Sequence, residues 1–292
     1  MLMPTIINFA PNGMIPTKDL TPHVPISVSE VVEDVLAAYQ CGITMTHIHA
    51  RDQQTGVPTY DAEIYGQMIE GIRRYAPDLI ICVSLSGRNF PEFEKRAAPL
   101  QLDGHLKPDM GSLTLGSMNF PRQASVNTPD MVKKLAAEMM HRGIAPELEA
   151  FDAGMVNYAH YLQRQQLVAP PFYFNLLLGN VASAQAELLH AGMMIQDLPE
   201  NSVWSLAGIG DKQLAMNSLA CAMNGGVRTG LEDNIHYDKA RSRLATNLEL
   251  VQRVHALSEL NGREVMTPSA LRSRLGLEPG FGRYGRTYPK VD

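Results

Sequence analysis

Residues 45–52 read MTHIHARD. His47 and His49 stand two apart in an apolar run, the spacing that turns both side chains to one face of a strand. Two imidazoles facing the same way are a ready pair of metal ligands. Two locally hydrogen-bonded core residues are the plainer alternative. Arg51 and Asp52 follow at once and, being charged, need partners if the chain buries them. Far along the chain, VRTGLEDN carries Arg228, Glu232, Asp233 and Asn234. One carboxylate added to two neutral imidazoles makes the three-ligand set of catalytic zinc, with positions left for water or substrate. Glu232 has the longer arm. An ion pair of Arg228 with Glu232 or Asp233 is the structural alternative, and it is compatible with a catalytic role.

Other polar residues recur at the ends of apolar runs: Ser84 and Ser86, Ser112 and Thr114, Glu147 and Glu149 with Asp152, and Asn175. Ser and Thr in such places usually satisfy nearby backbone. PELEAFD says more, because Glu147 and Glu149 share one face and put two acids on one side of a strand. A salt bridge to an arginine is the plain reading of that pair. Gly208 and Gly210 in AGIGDKQLAM precede a helix start, a two-glycine pattern that would suit a phosphate bound by backbone N–H groups.

The elements that must position these residues alternate regularly. TIINFA (5–10) reads as a buried strand, and 27–42 as a helix with a Ser27–Glu30 capping box and Gly42 at its end. Strands follow at 43–50, 79–86, 110–116, 146–152, 172–179, 202–208 and 225–232. Helices are expected at 61–77, near 91–98, and at 128–143 with Pro129 in the first turn. Further helices are expected at 155–166, 183–192 and 211–223, then a long amphipathic segment over 240–261. The strands are near-continuous apolar runs, as in parallel sheets buried on both faces. Eight strand–helix units in about 260 residues predict an α/β fold, a (β/α)₈ TIM barrel. A doubly wound sheet would want a Gly-rich phosphate loop after an early strand, and NFAPNGMIP is not one. Residues 1–264 are expected to form the barrel, and 265–292 a C-terminal extension on the barrel or a neighbouring subunit.

The 292 residues are 45% hydrophobic and 19% charged, with a net charge of −5. That suffices for a large core and leaves no footprint for nucleic acid or an anionic membrane. Cys41, Cys82 and Cys221 are odd in number and widely spaced, which argues against a disulfide framework and for reduced thiols in a cytoplasmic protein. No signal-peptide pattern is expected at the N-terminus and no membrane span anywhere.

Taken together, THIHARDQQTGVPTYDAEIY, SLTLGSMNF, PELEAFDAGM and GGVRTGLEDN resemble the β-keto acid cleavage enzyme family over nearly the whole chain. The resemblance implies a zinc-dependent barrel that converts a β-keto acid and acetyl-CoA into acetoacetate and a new acyl-CoA. It implies that His47, His49 and Glu232 hold one zinc ion. Asp233 and Arg228 would form the acid–base pair, with Glu149 the next candidate base. Ser84, Thr114, Arg51 and Asn12 would contact substrate, although Ser86, Ser112 and Glu147 stand two residues from their counterparts on the same faces. A homo-oligomer, such as a tetramer, is also implied.

Some members of that family handle an amino-substituted keto acid, which an acid near the first strand would suit. Here the loop is APNGMIPT, with Met14 and Ile15 and no acid, so a neutral or apolar substrate tail is expected. Lyases of the hydroxymethylglutaryl-CoA type also pair His-x-His with an acid, but they begin with an Asp-Arg-Glu-type first strand, which TIINFAPNG lacks. A metallohydrolase would want histidines on strands five and six. A non-catalytic acyl-CoA-binding barrel would not need a base beside the ligands.

Overall fold

The computed structural model describes residues 2–288. Eight parallel strands close into a barrel: β1 (Ile7–Phe9), β2 (Met45–Ile48), β3 (Ile80–Val83), β4 (Met110–Thr114), β5 (Ala145–Ala150), β6 (Phe172–Leu178), β7 (Ser202–Gly208) and β8 (Gly226–Thr229). β1 pairs with both β2 and β8, which brings the two ends of the chain's chemistry together. Outward-facing strand residues such as Ile7, Phe9, Ile48, Ile81 and Leu148 pack under the helices.

The helices form for legible local reasons. In α1 (Val28–Cys41) the Ser27 hydroxyl accepts from Glu30 N–H, and the Glu30 carboxylate accepts from Ser27 N–H. Gly42 ends the helix in the left-handed region, φ 100°. α2 (Ala62–Arg73), the short α3 (Phe93–Arg96), α4 (Pro129–Arg142), α5 (Ala153–Arg164), α6 (Leu188–Gln196), α7 (Gln213–Ala222) and α8 (Asn247–Leu260) follow. Three expectations need correction. α6 starts at Leu188 because residues 183–187 are held in a loop, where Ala184 N–H donates to the Phe151 carbonyl. Residues 240–246 are not helical: Asp238 folds them into a turn by accepting from Ser242 and Arg243, and a Thr246–Glu249 capping box starts α8. An unanticipated hairpin, Met118–Asn119 against Ala124–Ser125, rises after β4.

The barrel interior is stratified. Its lower end is an apolar floor of Ile6, Met45, Ile80, Met110, Tyr173 and Val203, sealed from below by Met266, Leu271, Leu275 and Leu277. α9 (Pro268–Leu275) carries two of these seals. Buried Asp109 pins that helix: it accepts from Arg272 at 2.7 and 2.9 Å and from Arg73 at 3.1 Å. Residues 289–292 of the expected extension lie outside the described residues. Above the floor the interior turns polar, with Asn8, His47, Glu147, Asn175 and Arg228 all buried. Among the described residues, no helix is long and apolar enough to cross a membrane.

Candidate active site

β2 and the residue that follows it present His47 and His49 to the barrel interior, with Nε2 atoms 3.2 Å apart. The loop after β8 brings Glu232 alongside, its Oε1 3.0 Å from His49 Nε2. Ligand atoms of His47, His49 and Glu232 all lie within 4.8 Å of one another. The second oxygen of Glu232, Oε2, is buried with no hydrogen-bond partner. Three convergent donors and an orphaned carboxylate oxygen are what a divalent cation requires, so the residues fit zinc.

The imidazoles are fixed from outside that cluster. His47 Nδ1 meets Glu147 Oε2 at 2.5 Å, which leaves Nε2 for the cluster. Burial raises the Glu147 pKa, but His47, Arg228 and Asn8 outweigh it and hold the carboxyl at about 2. His47, Cys82 and Glu147 also form a compact triad. However, the Glu147 oxygens already accept from Asn8 at 2.7 Å and from the Cys82 thiol at 3.3 Å. Burial pushes that thiol well above its usual range, so it stays a donor. Asn12 grips the backbone of His49: its side chain accepts from His49 N–H at 3.2 Å and donates to the His49 carbonyl at 2.9 Å.

Arg228 organises the carboxylates. Its Nη2 donates to Glu232 at 2.9 Å, its Nε to Asp233 at 3.1 Å, and its Nη1 stands 3.6 Å from Glu149. Breaking one arm of so buried a pair typically costs about 3–5 kcal/mol, because a charge is left uncompensated. Burial raises the pKa of Asp233 more than Arg228 lowers it, and the net shift is upward. Glu149 is likewise raised by burial, and it accepts from the Thr114 hydroxyl at 2.7 Å. Both acids are therefore stronger bases than free carboxylates.

A cavity of about 280 Å³ opens over these groups. It is lined by His47, His49, Ser84, Ser86, Thr114, Glu149, Arg228, Glu232 and Asp233. Ser112 and Glu147 lie beneath it. Met14 and Ile15 line it from the β1 loop, as do Phe120 and Arg88 from the loops after β4 and β3. Neither Phe120 nor Arg88 stood out in the sequence. The one available signal was the isolated cation in SGRNF directly after a strand end.

Two expected substrate contacts stand elsewhere. Arg51 is buried behind the cavity and donates to the carbonyls of Gly13, Pro16 and Gly56, tying the β1 and β2 loops together. Asn12 is occupied by His49, as above. Asp52 is exposed and organises its own turn by accepting from Gln54 and Thr55. The glycine loop after β7 does not form a phosphate nest, because Ile209 N–H donates to Leu178 and Gly210 N–H to the Asp233 carbonyl. Gly13 is required where it stands: φ is +61° and a Cβ would fall 2.4 Å from Glu232 Cγ.

A family model described as beta-keto acid cleavage enzyme matches residues 4–277. The 3-oxoadipate:acetyl-CoA acetyltransferase of Cupriavidus necator is 39% identical over 281 residues, covering 95% of this chain and 96% of that one. The 3-keto-5-aminohexanoate cleavage enzyme of Fusobacterium nucleatum subsp. nucleatum is 37% identical over 279 residues, covering 95% and 100%. Among solved structures, a ternary complex of ObcA with C4-CoA adduct and oxalate is similar with a TM-score of 0.78 at 20% identity. That match covers 88% of this chain and 68% of that chain and speaks to the barrel fold.

Proposed function

Because the chain belongs to the beta-keto acid cleavage enzyme family, we propose a division of labour among its residues for acetyl-CoA-dependent cleavage of a β-keto acid. His47, His49 and Glu232 hold one zinc ion. Bound there, zinc supplies Lewis acidity toward the oxygens of the keto acid and so acidifies C2. Asp233 removes the C2 proton, and its raised pKa suits a base. Arg228 aims that carboxylate through its Nε contact. Thr114 and Ser84 bound the substrate on the β3 and β4 side, and Glu149 stands ready to move a proton there.

The C2 carbanion attacks the acetyl carbonyl of acetyl-CoA, forming a carbon–carbon bond and releasing the CoA thiolate. The thiolate then adds to the original C3 carbonyl, the C2–C3 bond breaks with its electron pair left on C2, and C2 takes back the proton held by Asp233. C1 and C2 leave with the acetyl group as acetoacetate, and the tail leaves as acyl-CoA. Carbon, sulfur and charge balance without an oxidant or reductant. One observation carries this reading: a single arginine, Arg228, holds both the carboxylate turned to the imidazoles and the one turned to the cavity.

Lys212 and Arg241, next to Gly210 at the rim, offer positive charge for the phosphates of CoA. Exposed Leu188, Leu189 and Met193 on α6 support assembly as a homo-oligomer, and the three free thiols suit the cytoplasm. The test is a label experiment. Acetyl-CoA carrying label in its acetyl group should deliver it to C3 and C4 of acetoacetate and none to the new acyl-CoA. Unlabelled acetoacetate would overturn the condensation route.

A further inference from the structure

Arg88, half-buried, differs from the buried arginines of the barrel. Arg51 donates to three backbone carbonyls, Arg96 to the Leu85 carbonyl and Asn127, and Arg228 to carboxylates. Among the described residues the Arg88 guanidinium has no hydrogen-bond acceptor and no ion pair, and its Nε is buried without a partner. It is nonetheless held in place. Its fork lies over the Phe120 ring, 3.7 Å from the centroid, and it lines the cavity beside Ser86. A planar fork stacked on an aromatic wall and turned to a cavity without an acceptor matches a carboxylate or phosphate, which it can bind through two parallel N–H bonds.

We propose that Arg88 is a specificity-determining residue that binds a second carboxylate at the far end of the keto acid. The preferred substrate class is then a 3-oxo dicarboxylate, and the thioester product carries a free carboxylate. The inference rests on the β-keto acid reading above. Position favours this anion over CoA. β3 and β7 are four strands apart in a closed ring of eight, so Arg88 stands across the mouth from Gly210, Lys212 and Arg241. Met14 and Ile15 then cover the apolar middle of the tail rather than its end, which departs from the neutral tail expected of them.

The test uses the zinc-loaded full chain with 3-oxoadipate, its neutral counterpart 3-oxohexanoate and the cationic 5-amino-3-oxohexanoate, following acetoacetate release. Wild type should favour 3-oxoadipate by at least roughly tenfold in kcat/KM, the scale of one charged hydrogen bond. Arg88→Gln should lose roughly 10- to 100-fold on 3-oxoadipate alone, and Arg88→Lys should recover part of it. Calorimetry gives a second readout: adipate should bind more tightly than hexanoate, and Arg88→Gln should remove the difference. Equal rates on charged and neutral tails would overturn the inference. So would an Arg88→Gln that raises the KM for acetyl-CoA equally with every keto acid, because the anion would then be a CoA phosphate. Arg88-dependent adipate binding without acetoacetate release from any keto acid would keep the anion site and remove the β-keto acid reading.

Discussion

Glu147 holds His47 from one level beneath the cavity, Oε2 to Nδ1 at 2.5 Å, and its other oxygen accepts from Asn8 at 2.7 Å. Both acids of PELEAFD face inward: Glu147 serves the imidazole, while Glu149, two residues on, reaches the cavity itself. Glu147→Gln should weaken zinc binding by roughly 10- to 100-fold, the usual cost of losing a carboxylate behind a ligating histidine. Competition with a chelator measures it. Unchanged affinity would mean that the contact only satisfies a buried donor.

His49→Ala removes the imidazole that meets both His47 and Glu232. Elemental analysis should find its zinc lost while circular dichroism stays that of the wild type. Full zinc occupancy would place the metal elsewhere.

Asp233→Asn should keep zinc and lose turnover by about a hundredfold or more, the contribution of a positioned base. Glu149→Gln is the control. If it loses more than Asp233→Asn does, the base is Glu149, the cavity acid nearest the third arm of Arg228, and not Asp233.

A pH effect should appear far from the site. Backbone hydrogen bonding at Thr246 and the Arg243 guanidinium hold the Glu249 carboxyl at about 2 in the folded chain, below its ordinary 4.5. A depressed folded pKa adds stability above the unfolded value, and that stability is lost as pH falls from about 4.5 to about 2. Glu249→Gln should cost about 1 kcal/mol at neutral pH, the typical worth of a cap. Its melting temperature should converge with that of the wild type near pH 2. A gap unchanged between pH 7 and pH 2 would show that charge plays no part in this cap.

The strands were legible because buried parallel strands are continuous apolar runs, and the approach of His47 and His49 to each other because they keep a period of two. Helix starts were less so. Ser-Ala-Gln-Ala-Glu at 183–187 favours a helix by composition, but the distant Phe151 carbonyl and contacts of Gln185 with Asn180 and His190 draw it into a loop. Thr246-Asn-Leu-Glu249 is a capping box, masked in the sequence by an amphipathic period that runs on upstream of it. Arg51 and Asn12 carry chemistry-bearing side chains, but the backbone of neighbouring loops takes up their polar groups. Arg88 depends on Phe120, a hairpin residue brought beside it by the fold. No local pattern announces such a pair.

Gly13 ties the reach of the Glu232 carboxylate to the shape of the cavity wall. The stem of Glu232 lies where a side chain on residue 13 would have to go, and the next two residues, Met14 and Ile15, line the cavity. The loop therefore turns on a fixed pivot. Exchanges at 14 and 15 can reshape that wall while the Glu232 carboxylate stays still. Any side chain at 13 would push on that carboxylate before it altered selectivity. An adjustable stretch of cavity wall is mounted directly on a carboxylate with no room to yield, with a single missing methyl group as the joint.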